Sequence, residues 1–175
     1  MRTFINQKSL FCRTCQPACT IAASKLMGTS KRNVLVPWLI VIAFTLIAQQ
    51  GRACSLNITG VNFGSYDVFS NAALHSTGNI DVNCASGDGY IIAISAGSGT
   101  YSQRAMISGT HTLNYNLYTA ANRAVVWGGS TSGTTTVSGS GTGESVNHVV
   151  YGRVPPHQNI PAGNYRDTIT VVIFF

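Results

Sequence analysis

Acidic side chains are scarce, with five Asp and Glu in 175 residues against eleven Lys and Arg. Lysine is absent beyond Lys31, and the only basic residues after Arg52 are Arg104, Arg123, Arg153 and Arg166. Set against Asp67, Asp81, Asp88, Glu144 and Asp167, these four leave residues 54–175 at about −1. No basic stripe exists there to neutralise phosphates, which argues against a nucleic-acid partner. The formal +6 of the whole chain comes from the segment before Cys54, which carries the other seven Lys and Arg and no acid. Such an asymmetry marks a tail or a targeting segment.

Patterns for chemistry are missing as well. His75, His111, His148 and His157 have no metal-ligand spacing, and no serine lies in a nucleophile elbow. The common role of a lone histidine on a strand or loop is surface or satisfied packing, so neither an enzyme, a cofactor nor a metal site is expected. Cys12, Cys15 and Cys19 are close enough to suggest thiolate ligation. They lack a suitably spaced fourth ligand and precede a segment that export discards. Gly139, Gly141 and Gly143 resemble a phosphate loop in composition only, with no buried strand before them and no helix after.

What is present begins with an export signal. The apolar run 34–48 follows Lys31-Arg32 and leads through Gln49-Gln50 into Gly51-Arg52-Ala53. These are the three parts of a secretory signal peptide. The run is shorter than the roughly 20 residues of a membrane span, and Pro37 interrupts it. Residues 1–53 are therefore read as a signal peptide with an N-terminal extension, cleaved between Ala53 and Cys54, and Met27 is a candidate for the true start. Residues 54–175 then form one domain with two cysteines, in an oxidising compartment that favours a disulfide.

From Cys54 onward, short period-two runs are bounded by Gly, Ser, Asn and Thr, the signature of a sandwich or barrel. Cys54, Leu56 and Ile58 share one face of a run, and Ile80, Val82 and Cys84 share a face of another. A Cys54–Cys84 bond between those faces would close a loop of about thirty residues and contribute about 3 to 4 kcal/mol in the chain-entropy account. Further strands are expected at Tyr90–Ser95, Thr112–Thr119, Val146–Val154 and Thr168–Phe175. The last is apolar on both faces, Ile169, Val171, Ile173 and Phe175 on one and Val172 and Phe174 on the other. A two-sided strand must be covered on both faces, or it awaits a partner. The Gly, Ser and Thr-rich segment Gly128–Ser145 reads as a long loop within the sandwich. Asn57-Ile58-Thr59 fits an N-glycosylation acceptor, but inside a strand.

The most distinctive positions are aromatic, Gly and Pro residues in a fixed order. Phe63-Gly64-Ser65-Tyr66 follows the first strand, and Tyr115-Asn116-Leu117-Tyr118 and Val126-Trp127-Gly128 come next. Tyr151-Gly152-Arg153-Val154-Pro155 and Gln158 lead to Pro161-Ala162-Gly163-Asn164-Tyr165-Arg166-Asp167-Thr168. Trp127, Tyr115 and Tyr151 read as core or near-core anchors, and Pro161–Gly163 as the turn delivering the last strand.

This ordered set, spanning residues 54–175, resembles the spore coat protein U domain family, which includes subunits of archaic chaperone-usher pili. The resemblance implies an all-β, immunoglobulin-like Greek-key sandwich that is incomplete, lacking its last strand. It implies an exported structural subunit of a pilus or a related surface or spore coat. It also implies three partners: a periplasmic chaperone, an outer-membrane usher met only transiently, and a neighbouring subunit that supplies a strand. Processing after Ala53 leaves no donor segment ahead of Cys54, so the expected chain accepts a strand without giving one, as at a tip or other terminal position. The alternative is a self-contained secreted adhesin or carbohydrate-binding sandwich.

Overall fold

A computed structural model describes residues 54–175. The export segment, its cleavage point at Ala53, Met27 and the cysteines Cys12, Cys15 and Cys19 lie outside the described residues.

Every regular element among the described residues is a strand. In chain order these are β1 (Ser55–Thr59), β2 (Leu74–Asn83), β3 (Gly89–Ile94), β4 (Arg104–Ser108), β5 (His111–Tyr118), β6 (Val137–Ser140), β7 (Ser145–Val154) and β8 (Val171–Phe174). They form two antiparallel sheets, a larger one in the order β1-β2-β7-β5-β4 and a smaller one in the order β6-β3-β8. The architecture is the immunoglobulin-like two-sheet sandwich that the family resemblance implies, and a sandwich rather than the barrel that the strand pattern also allowed.

Alternation decides which side of each strand faces the core. Ile80 and Val82 of β2, Leu113, Tyr115 and Leu117 of β5, and Val150 and Val154 of β7 are buried against Tyr90, Ile92 and Ile94 of β3 and Val171 and Ile173 of β8. Each fully buried Ile, Val or Leu contributes about 1.5 to 3 kcal/mol of apolar transfer. Register places Leu56 opposite Val82 and Ile58 opposite Ile80, and the same pairing carried one step past Ser55 and Asn83 sets Cys54 opposite Cys84. These two cysteines are bonded, with Cα atoms 4.3 Å apart. The bond therefore locks the end of the β1–β2 ladder.

Three elements depart from the sequence expectation. β4 was not anticipated, because Arg104 opens it and interrupts its apolar pattern. The last strand is shorter than Thr168–Phe175, since Asp167 takes the amide of Thr168 on its own carboxylate. The Gly128–Ser145 segment is not loop throughout: β6 lies within it and pairs with β3 from Ile92↔Val137 to Gly89↔Ser140. Small residues suffice there, because the backbone ladder supplies the order and the ring of Tyr90 packs directly against Gly139. Just ahead of β6, Trp127 N donates to Leu117 O at 3.0 Å and Gly128 N to Thr135 O at 2.8 Å. Ile94 N in turn donates to Gly128 O at 3.3 Å, so this segment stitches one sheet to the other.

Candidate functional site

Among the described residues β1 pairs only with β2, and β8 only with β3. Each therefore presents a free backbone edge, and the two edges flank one cleft. Its walls come from Ile58 of β1, Gly60 and Val61 just after it, Ile80 of β2 and Val150 of β7. From the other sheet come Ile94, Ile169 and Val171. The surface is almost wholly apolar and encloses about 40 Å³, room for a few side-chain carbons rather than for a polar small molecule. The opposite end of the larger sheet is treated differently, because there Ile107 of β4 forms a bridge with Arg166. An unpaired edge beside apolar pockets is the arrangement that adds a strand: backbone groups supply hydrogen bonds and alternate side chains enter the pockets.

Buried polar groups fix how β8 approaches the cleft. Asp167 is 4% exposed. Its Oδ1 accepts from Ser98 N at 2.9 Å, Ser98 Oγ at 2.8 Å and Thr168 N at 2.8 Å, while Oδ2 accepts from the Tyr115 hydroxyl at 2.6 Å. Burial, and then the Asp167 carboxylate, push the Tyr115 phenol far above its ordinary range, so it remains a donor. Gly97, at φ +66°, lies so close to the carboxylate that a Cβ would overlap it. This anchor stands two residues ahead of Ile169, the first β8-side residue in the cleft wall.

Arg104 is fully buried. Its Nη1 donates to Asn116 Oδ1 at 2.5 Å, and Nη2 donates to Trp127 O at 2.7 Å and to Ser95 O at 2.9 Å. The Tyr101 ring lies 5.5 Å from its guanidinium carbon. Burial pulls the Arg104 guanidinium below its usual range, against the pull of Tyr115, Tyr101 and Asp167 in the other direction. In the sequence Arg104 is only one of four basic residues after Arg52. Asn116 is 6% exposed, because residues 101–103 fold over it. No local pattern announces a cover that arrives from another part of the chain.

The residues singled out by the sequence lie in three places. Phe63, Tyr115, Trp127 and Tyr165 are in the core; Phe63 meets Tyr115 edge to face at 5.9 Å, and Trp127 Nε1 donates to Ile92 O at 3.1 Å. Gly152 is buried under Phe63, whose ring leaves no space for a Cβ, while Gly64 turns the chain at φ +71° and Gly128 accepts the bond from Ile94 described above. Tyr66 holds the segment after β7, donating to Pro155 O and accepting from Gln158 N, both at 2.9 Å. Tyr165 donates to Pro161 O at 3.0 Å across the turn that contains Gly163. Tyr118 and Tyr151 are half-buried partners on adjacent strands of the larger sheet. Of these aromatic and glycine residues none lines the cleft, which takes only Leu117 from the Tyr115–Tyr118 run; the motif builds the frame, and ordinary aliphatic residues make the site. Of the four histidines, His148 is half-buried and shares a 2.8 Å hydrogen bond with Tyr90 across the two sheets, whereas His75, His111 and His157 are exposed.

Comparison with known proteins gives three findings. The family profile of the Spore Coat Protein U domain matches residues 40–172. Protein U of Myxococcus xanthus is 36% identical over 148 residues, covering 73% of this chain and 80% of that protein. Among solved structures, a chain of the CsuC-CsuE chaperone-tip adhesion subunit pre-assembly complex, from the archaic chaperone-usher Csu pili of Acinetobacter baumannii, aligns with a TM-score of 0.52 and 25% identity. That alignment covers 71% of this chain and 40% of the other.

Proposed function

Because the chain belongs to the Spore Coat Protein U domain family, we propose that it is an exported structural subunit of a chaperone-usher pilus or a related surface or spore coat, completed by a strand from a partner. The observation that carries this reading is the apolar cleft between the free edges of β1 and β8. In the periplasm a chaperone occupies it first, and at the usher a neighbouring subunit's segment takes its place. An incoming strand pairs with an exposed edge and seats alternate aliphatic side chains over Ile58, Val61 and Ile169. Burial of each such side chain contributes about 1.5 to 3 kcal/mol, and the backbone bonds set direction and register. Processing after Ala53 places the chain at a tip or other terminal position, since nothing would then precede Cys54 to be donated. The role is structural rather than catalytic.

The test is expression of the full gene for export, with and without a matching periplasmic chaperone, followed by thermal unfolding with a peptide of alternating apolar residues or its scrambled counterpart. A ligand that binds only the folded state raises apparent stability by RT ln(1 + [L]/Kd), about 2.7 kcal/mol at a hundredfold excess over Kd. The expected outcome is chaperone-dependent soluble yield and stabilisation by the alternating peptide alone. A monomer that unfolds cooperatively at the same temperature under every condition would instead establish the self-contained module.

A further inference from the structure

A second concavity lies on the outer face of the larger sheet, where β5 and β7 present residues other than the Leu117 and Val150 that they turn to the cleft. It spans about 400 Å³ and is lined mainly by Ser102, Gln103, Asn114, Asn116, Tyr118 and Arg153. Its volume falls in the range of small-ligand sites, roughly 300 to 1,000 Å³. The floor is rigid: Asn116 spends its amide on Tyr101 O at 2.9 Å and Ser102 O at 3.2 Å, and its carbonyl on Arg104 and Leu117 N.

The walls are the reverse. Among the described residues, the side chains of Gln103 and Asn114, the hydroxyl of Tyr118 and the guanidinium of Arg153 have no hydrogen-bond or ion-pair partner. Arg153 stands directly opposite Asn116 in the strand register, and no acidic residue lines the concavity to neutralise it. Its positive field reaches His75, its exposed register partner on β2, whose imidazole is held below its ordinary value by slight desolvation and by Arg123 and Arg153.

We propose that this concavity binds a short acidic saccharide, with its carboxylate on Arg153 and its hydroxyls on Asn114 and Gln103. The two amides each offer donors and an acceptor, the repertoire that neighbouring sugar hydroxyls require. The guanidinium matches a carboxylate in bidentate geometry, and the Tyr118 ring gives a sugar face something to lie against. A single cation suits one or two acidic units rather than a polyphosphate chain. The location is compatible with assembly: this site uses outward residues of β5 and β7 and the segment before β4, none of which lines the cleft, and it does not include the free edge of β1. A subunit that has accepted a strand would still expose it.

The test titrates the purified exported chain, by calorimetry or by chemical-shift perturbation, with digalacturonate, with its methyl ester and with acetate. Saturable binding of digalacturonate is expected, at least about tenfold weaker for the methyl ester and for Arg153→Gln. The double variant Gln103→Ala/Asn114→Ala should weaken the acid and the ester alike. All three positions are open to solvent or half so, and unchanged thermal unfolding of the variants verifies that they fold. Failure of digalacturonate to saturate would overturn the proposal, as would an affinity indifferent to Arg153→Gln. Acetate binding as tightly as digalacturonate would reduce the site to a simple anion contact and overturn it equally.

Discussion

At the scale of single residues, the decisive groups are polar and interior. Asp167 gathers four donors from three parts of the chain, and removing one of them leaves a buried carboxylate short of a partner. A hydrogen bond to a charged group is worth about 1.5 to 3 kcal/mol, so Tyr115→Phe should destabilise by about that much in denaturant unfolding with little change in m-value. A loss below about 0.5 kcal/mol would show that the contact is incidental. His148 gives a pH signature. Burial lowers its folded-state value below the model-peptide 6.5, so the unfolded chain binds the proton more readily. Its contribution to stability is therefore complete above about pH 6.5 and declines as pH falls toward the lowered folded value. Urea midpoints measured from about pH 5 to 7 should fall on acidification, and His148→Gln, which can still bond Tyr90, should flatten that slope. An unchanged slope in the variant would assign the pH response elsewhere.

At the scale of elements, β1 and β8 are the edge strands that flank the cleft, each with one strand partner among the described residues. β1 is tied down at its start by the Cys54–Cys84 bond, and β8 is held at its entry by Asp167 and by Ser95, whose Oγ accepts from Thr170 N at 2.9 Å. Beyond these anchors the strands depend on one ladder. Amide exchange should then be faster in β1 and β8 than in β2 and β7, the longest paired strands. Addition of a donor peptide should slow exchange in β1 and β8 selectively. Protection gained uniformly, or gained in β4 and β5, would place the peptide elsewhere. Phe174, 54% exposed, stands opposite Ile91, 44% exposed, on the outer face of the smaller sheet. The two-sided character of the last strand is thus met on one face only.

At the scale of the whole molecule, the larger sheet separates two kinds of surface. Its inner face and free β1 edge border a dry cleft suited to backbone pairing, and the outer face of β5 and β7 carries a polar concavity suited to a small ligand. β7, paired with β2 over ten residues, contributes to both, Val150 to the cleft and Arg153 to the concavity. On the proposed function, one site serves assembly while the other stays open to a ligand. Binding results at the concavity and stabilisation results at the cleft stand independently, since no residue lines both.

Period-two alternation, with two cysteines in residues 54–175, was enough to indicate a sandwich or barrel, the inward faces of β2, β5 and the last strand, and the Cys54–Cys84 pairing. These are properties of neighbours in sequence, because the pleat sends successive side chains to opposite faces. The ordered aromatic and glycine positions pointed to the family, and they are frame residues whose shapes must match across the core. Other features depended on which distant segments meet. β6 forms from Gly and Ser only because β3 offers a ladder, and Arg104 is buried only because Ser95, Asn116 and Trp127 converge on it. The cleft is built from aliphatic residues that look like any others in the core, and only the strand order shows that two edges beside them are left unpaired.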